Sequence, residues 1–175
     1  MTITYVVQRI SECFVKSHGL TQVSNQISHL TQWDIVMLPR HYIQKGLLFK
    51  KPTPLVDQHD FIENLLEKLK HSLSLTLSHF YPLAGRLVTQ KSQDPPFYVV
   101  PVDSKSSDRA RFIYATRDMT ISDILSPVDF PLVVHSLFDH HKAINHDGHT
   151  MPLLSIQVTK LVDGVFLGCS VNHVV

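Results

Sequence analysis

The C-terminal stretch constrains the fold more than any other part of the chain. Two apolar runs, Leu153 to Val162 and Val165 to His173, flank the dipeptide Asp163-Gly164. Asp-Gly is favoured in two-residue type I′ hairpin turns, where both central positions take positive φ. A turn of that kind sets Val162 opposite Val165, Val158 opposite Cys169, Ile156 opposite Val171 and Leu154 opposite His173. One face of the ribbon is then apolar at period two, with Lys160 opposite Leu167 as the exception near the tip. His173 falls in phase with Val171, Cys169, Leu167 and Val165, so this register expects an inward imidazole shielded from bulk water.

Upstream, the clearest element is a helix over Gln58 to Phe80. Phe61, Ile62, Leu65, Leu66, Leu69, Leu73, Leu77 and Phe80 recur at steps of three and four, and Pro82 and Gly85 stop it. Thr2 to Val15, rich in β-branched and aromatic residues, reads as a strand broken at Ser17-His18-Gly19 and followed by loop. Leu87–Thr89 and Phe97–Val102 read as strands joined by the polar turn QKSQDPP, Pro101 to Arg109 as exposed loop, and Arg111–Ala115 as a further strand. Thr120-x-x-Asp123 has the form of a capping box that opens a short helix, Ile121 to Leu125. Strands interleaved with few helices place the chain in the α/β or α+β class.

At 175 residues the chain suits one domain, which at this size buries about 70% of its unfolded surface. Sixteen basic side chains against fifteen acidic ones leave no excess charge to hold nucleic acid or an anionic membrane, so a small ligand is expected. No apolar run approaches the length of a membrane span and no signal-peptide pattern opens the chain; the expected location is cytoplasmic. Cys13 and Cys169, in no metal-like or redox spacing, read as buried thiols in a reducing compartment.

Twelve histidines demand attention. On strand position His173 reads either as a core histidine satisfied by backbone groups or as a general base, since an imidazole titrates close to physiological pH. The literal H-x-x-x-D at His135 to Asp139 is a coincidence: twelve histidines and as many aspartates yield about one such match by chance. His140, His141, His146 and His149, with Asp139 and Asp147 among them, offer metal ligands, but they lack a helical i, i+4 pair and any cysteine, so solvated loop histidines and no metal are expected. Ser170 and Ser78 sit in no nucleophile elbow.

The segments SHFYPLAGRL (Ser78 to Leu87) and GCSVNHVV (Gly168 to Val175), supported by Leu30 to Phe49 and Asn145 to His173, resemble the N-terminal part of the BAHD acyltransferases, plant acyl-CoA-dependent enzymes known by an H-x-x-x-D-G motif. The resemblance runs over nearly the whole chain and puts the motif histidine on His173. It implies a chloramphenicol acetyltransferase-like α/β fold of two similar domains, residues 1–175 being an incomplete first domain. It also implies a base that removes a proton from an acceptor hydroxyl or amine, which then attacks an acyl-CoA thioester. Acyl-CoA would be a co-substrate, with no permanently bound cofactor and a monomeric full-length enzyme.

The motif aspartate and glycine would stand at positions 177 and 178, beyond Val175, and the second domain with its D-F-G-W-G segment lies outside the sequence as well. A truncated chain of this kind is expected to be inactive and marginally stable or self-associating, because its channel wall would face water. Its alternative role would be that of a non-catalytic binding or dominant-negative partner of full-length relatives.

Overall fold

The computed structural model describes residues 7–18, 28–52, 58–104, 109–129 and 131–175. In chain order the first half contains β1 (Gln8–Val15), β2 (Ser28–His29), α1 (Gln32–Val36), β3 (Ile43–Lys50), α2 (Gln58–His79), β4 (Arg86–Leu87), β5 (Gln90–Gln93) and β6 (Pro96–Val99). The second half contains β7 (Pro101–Asp103), β8 (Ala110–Thr116), α3 (Ile121–Leu125), β9 (Leu154–Lys160) and β10 (Gly164–Val171). Short 3-10 turns cover Tyr81–Ala84, Leu132–Leu137 and Asn145–His149.

A five-stranded sheet in the order β1-β8-β9-β10-β3 carries the structure. Only β8 and β9 run parallel within it, and the crossover joining them holds α3 and two of the 3-10 turns. One sheet face is closed by α2, whose Ile62, Leu66 and Leu77 pack with Phe112, Leu154, Val158 and Val165. Against the other face lie Val133, Val134 and Leu137, packed on Ala115 and Phe166. Because β9 and β10 are covered on both sides, their second face carries buried polar residues with partners: the Gln157 amide donates to the Ser136 carbonyl (3.0 Å) and the Ser170 hydroxyl to the Asp139 carbonyl (2.6 Å).

The hairpin register differs from the expected one by two residues. Lys160, not Val162, pairs with Val165, so Val158 faces Leu167, Ile156 faces Cys169 and Leu154 faces Val171. Three residues, Leu161 to Asp163, join the strands, and Leu161 N–H donates to the Gly164 carbonyl at 2.9 Å. A shift of two leaves every side chain on its predicted face, so the apolar ribbon survives the correction. The tip follows its neighbours instead of a type I′ turn. Asp163 Oδ1 accepts the Ile121 N–H (2.8 Å), and a Cβ on Gly164 would stand 2.5 Å from the Phe49 carbonyl oxygen. Among the described non-glycine residues only His140 and Lys142 have positive φ, which leaves Asp163 outside the I′ geometry.

The helix over Gln58–His79 matches its periodicity, and Thr120 caps α3 as expected, its hydroxyl accepting the Asp123 N–H while Asp123 Oδ2 accepts the Thr120 N–H. Other expectations are corrected. QKSQDPP is no open turn, since Gln90–Gln93 forms β5 and pairs with β6. Pro101–Asp103 is a strand between β2 and β4, with Pro101 and Val102 buried; its three residues are too few for a pattern to show. The loop read after β1 contains α1 and edge strand β3. Thr2 to residue 6 of the first expected strand, Gly19, and positions 105–108 lie outside the described residues.

Candidate active site

His173 lies two residues past the end of β10, in a turn, and its side chain is exposed. The expected shielding of its ring inside the ribbon is therefore corrected: the ladder stops at Val171, and Asn172 turns away to other partners. Its N–H donates to the Leu153 carbonyl (2.8 Å), its Nδ2 to the Asn145 carbonyl (2.8 Å), and its Oδ1 receives the Val174 N–H (3.2 Å). Asn172 is fully buried, and Val174 is buried in a small core with Leu87, Val100, Val102 and Leu153. The exposed histidine thus stands between two anchored neighbours.

A third anchor acts on His173 itself. Its backbone N–H donates to Asn145 Oδ1 at 2.8 Å, while Asn145 Nδ2 donates to the Met37 carbonyl (2.8 Å) and Asn145 N–H to the Arg40 carbonyl (2.7 Å). Asn145 opens the 3-10 turn Asn145–His149, which presses onto the loop so closely that a Cβ on Gly148 would come within 2.7 Å of Asn172 Nδ2. Tyr42 completes the support. Burial pushes its phenol pKa up, the hydroxyl keeps its proton, and it donates to the Pro152 carbonyl at 3.2 Å.

The model of the Transferase family matches residues 9–175. An uncharacterized acetyltransferase of Arabidopsis thaliana is 33% identical over 95% of this chain and 36% of its own length. The BAHD acyltransferase DCR of Arabidopsis thaliana is 35% identical over 84% of this chain and 30% of its own. The chain belongs to the BAHD acyltransferase family. Vinorine synthase superposes with a TM-score of 0.70 at 21% identity, covering 95% of this chain and 38% of that one. Fusarium sporotrichioides TRI101, solved with coenzyme A and T-2, superposes with a TM-score of 0.56 at 18% identity, covering 85% and 36%. The fold is the CoA-dependent acyltransferase fold, and this BAHD chain spans about a third of the length of the relatives it matches.

The remaining sequence candidates in the BAHD chain fall elsewhere. Asp139 is buried, and its carboxylate is taken by Arg9 (3.1 Å), Arg111 (3.3 Å) and the Ser155 hydroxyl (2.8 Å). Burial raises its pKa, but His140, Ser155, Arg111 and Arg9 together outweigh burial and hold it below the ordinary carboxylate range. His140, expected to be solvated, is buried instead, its ring edge-on to Tyr42 with centroids 5.4 Å apart. Burial pushes its pKa down and favours the neutral ring. His135 and His141 stack at 4.4 Å along two adjoining clefts of about 520 and 290 Å³. His146 is exposed, and His149 bonds Thr89 Oγ1 (2.9 Å) and the His146 carbonyl (2.7 Å). No group of three His, Cys, Asp or Glu arranged to hold a metal occurs among the described residues. Ser78 donates to the His18 carbonyl. Both cysteines are half-buried, and burial pushes the Cys169 thiol up to about 11, far from a reactive thiolate. No described helix is long and apolar enough to cross a membrane.

Sequence reading missed Asn145, Asn172 and Tyr42. Each asparagine stands beside a histidine, in NHDGH and VNHVV, but nothing local tells which of them is buried.

Proposed function

We propose that these residues form the first domain of a two-domain acyl-CoA-dependent acyltransferase in which His173 is the general base. The acceptor is a small molecule with a free hydroxyl or amine. His173 takes the acceptor proton as the acceptor's oxygen or nitrogen bonds to the thioester carbonyl carbon. The tetrahedral intermediate then collapses, the carbon–sulfur bond breaks, and coenzyme A leaves with the proton returned by His173. The observation that carries this reading is an exposed imidazole on a backbone anchored at Asn145, Asn172 and Val174, in a chain of a family named for acyl transfer. A relative of the same fold solved with coenzyme A supports the donor class.

The test is acyl transfer from acyl-CoA to a panel of alcohols and amines by the polypeptide carrying these residues together with a second domain. His173→Ala is expected to lower kcat by about 10²–10⁴-fold, the usual contribution of a general base. Activity of the variant within threefold of the parent's would refute the assignment.

A further inference from the structure

We infer that Asn145 is the positioning residue of the His173 ring, an inference that rests on the general-base reading above. Asn145 is the point where three chain segments meet, and no sequence motif marks it. Its carboxamide is completely buried, and its backbone N–H is held by the Arg40 carbonyl. Its two polar side-chain atoms have unlike partners, a backbone N–H at His173 and a carbonyl at Met37, both at 2.8 Å. Only one orientation of the amide satisfies both, since a flipped group would set N–H against N–H and oxygen against oxygen. Oδ1 is thereby aimed at the one backbone donor that belongs to the base itself.

The neighbours of His173 are anchored differently. Asn172 is tied to Leu153 and the Asn145 carbonyl, and Val174 is fixed by packing. Those anchors fix where the turn lies, but they leave the peptide plane between Asn172 and His173 to be set by what the His173 N–H finds. That plane sets φ of His173 and hence the direction of its Cα–Cβ bond. Removing Oδ1 leaves a part-buried N–H without its acceptor, and the peptide tilts toward water. A ring carried even about 1 Å from its working position loses on the order of 10²-fold in rate, while surfaces that bind substrate elsewhere are untouched. Asn145 therefore acts on kcat through His173 and needs no contact with substrate.

The experiment compares the parent enzyme with Asn145→Ala, Asn145→Asp and His173→Ala, in the polypeptide that carries the second domain. It reads kcat and acyl-CoA KM separately, together with hydrogen exchange at the amides of residues 172 and 173. Asn145→Ala is expected to lower kcat about 10–100-fold with KM within threefold, and to expose the His173 amide while Asn172 stays protected. Asn145→Asp keeps the acceptor oxygen and loses the donor to Met37, so it retains a kcat above that of Asn145→Ala. Parent-like kcat in both Asn145 variants, beside an inactive His173→Ala, would overturn this inference and spare the general-base reading; an active His173→Ala would overturn that reading itself. Where Asn145→Ala does not fold, Asn145→Ser, whose shorter side chain leaves the His173 N–H without its acceptor, replaces it: kcat lowered about tenfold with the His173 amide exposed upholds the role, and parent-like kcat overturns it. A folded Asn145→Asp as inactive as His173→Ala refutes it.

Discussion

Among individual residues, His140 ties the fold to pH. Its side chain is 1% exposed, and neither ring nitrogen has a hydrogen-bond partner among the described residues. Burial pushes its pKa below the ordinary value of about 6.5, Asp139 pulls it the other way, and Arg111, Arg86 and Arg9 reinforce burial. The folded chain thus holds the ring neutral, whereas the unfolded chain takes up a proton below about pH 6.5. The stabilisation is fully present above that pH and is lost as pH falls toward the folded-state pKa, by at most about 1.4 kcal/mol per pH unit for one proton. Asp139 acts in the same direction in a more acidic window: its contribution is present above about pH 3.9 and goes as pH drops through its depressed folded value. The urea midpoint should fall between about pH 7.5 and 5.5, and His140→Asn should flatten that slope, asparagine being tolerated at the positive φ of 55° there. The buried state of His140 could not be read from DHHKAINHDGH, because the groups that bury it come from other strands and loops.

Elements divide by how local their causes are. Helix α2 was legible because its apolar stripe is written into its own residues, and α3 because its cap lies within four residues. Strand β3, IQKGLLFK, was not: as an edge strand with Leu47 and Phe49 exposed it shows neither clean alternation nor a buried run. The hairpin tip lies between these cases. Asp163 is the right residue for a tight turn, yet its carboxylate serves the Ile121 N–H at the start of α3, a second cap supplied from another element. Thr120→Ala should therefore cost about 1 kcal/mol, and Asp163→Ala about the same although it lies outside the helix. Chemical denaturation of the two variants checks both; an Asp163→Ala protein as stable as the parent would show that the tip contributes nothing to α3.

Across the whole molecule, apolar surface lies uncovered. Trp33 and Val36 on α1 and Leu47 and Phe49 on edge strand β3 are all more than half exposed. An edge strand with free backbone groups and apolar side chains is a template for pairing with another chain. Expressed as these 175 residues alone, the protein should elute from a sizing column well above 19.9 kDa, and Leu47→Lys with Phe49→Lys should shift it toward the monomer. A parent that stays monomeric at about 100 μM would contradict the link between this edge and association.

What the sequence determined by itself is what short-range chemistry can specify: the leucine stripe of α2, the α3 capping box, and the faces of the C-terminal ribbon, which a register shift of two cannot invert. A run of family-like residues also sufficed to place the chain among BAHD acyltransferases. Tertiary structure alone decided the register of that ribbon, the burial of His140 and Asp139, and the exposure of His173. Each depends on groups far apart in the chain: Asp163 meets Ile121, Arg9 and Arg111 meet Asp139, and Asn145 meets the amide of His173. A buried hydrogen-bonding group takes whichever partner the packed fold brings within about 3 Å, and sequence neighbours do not reveal which one that will be.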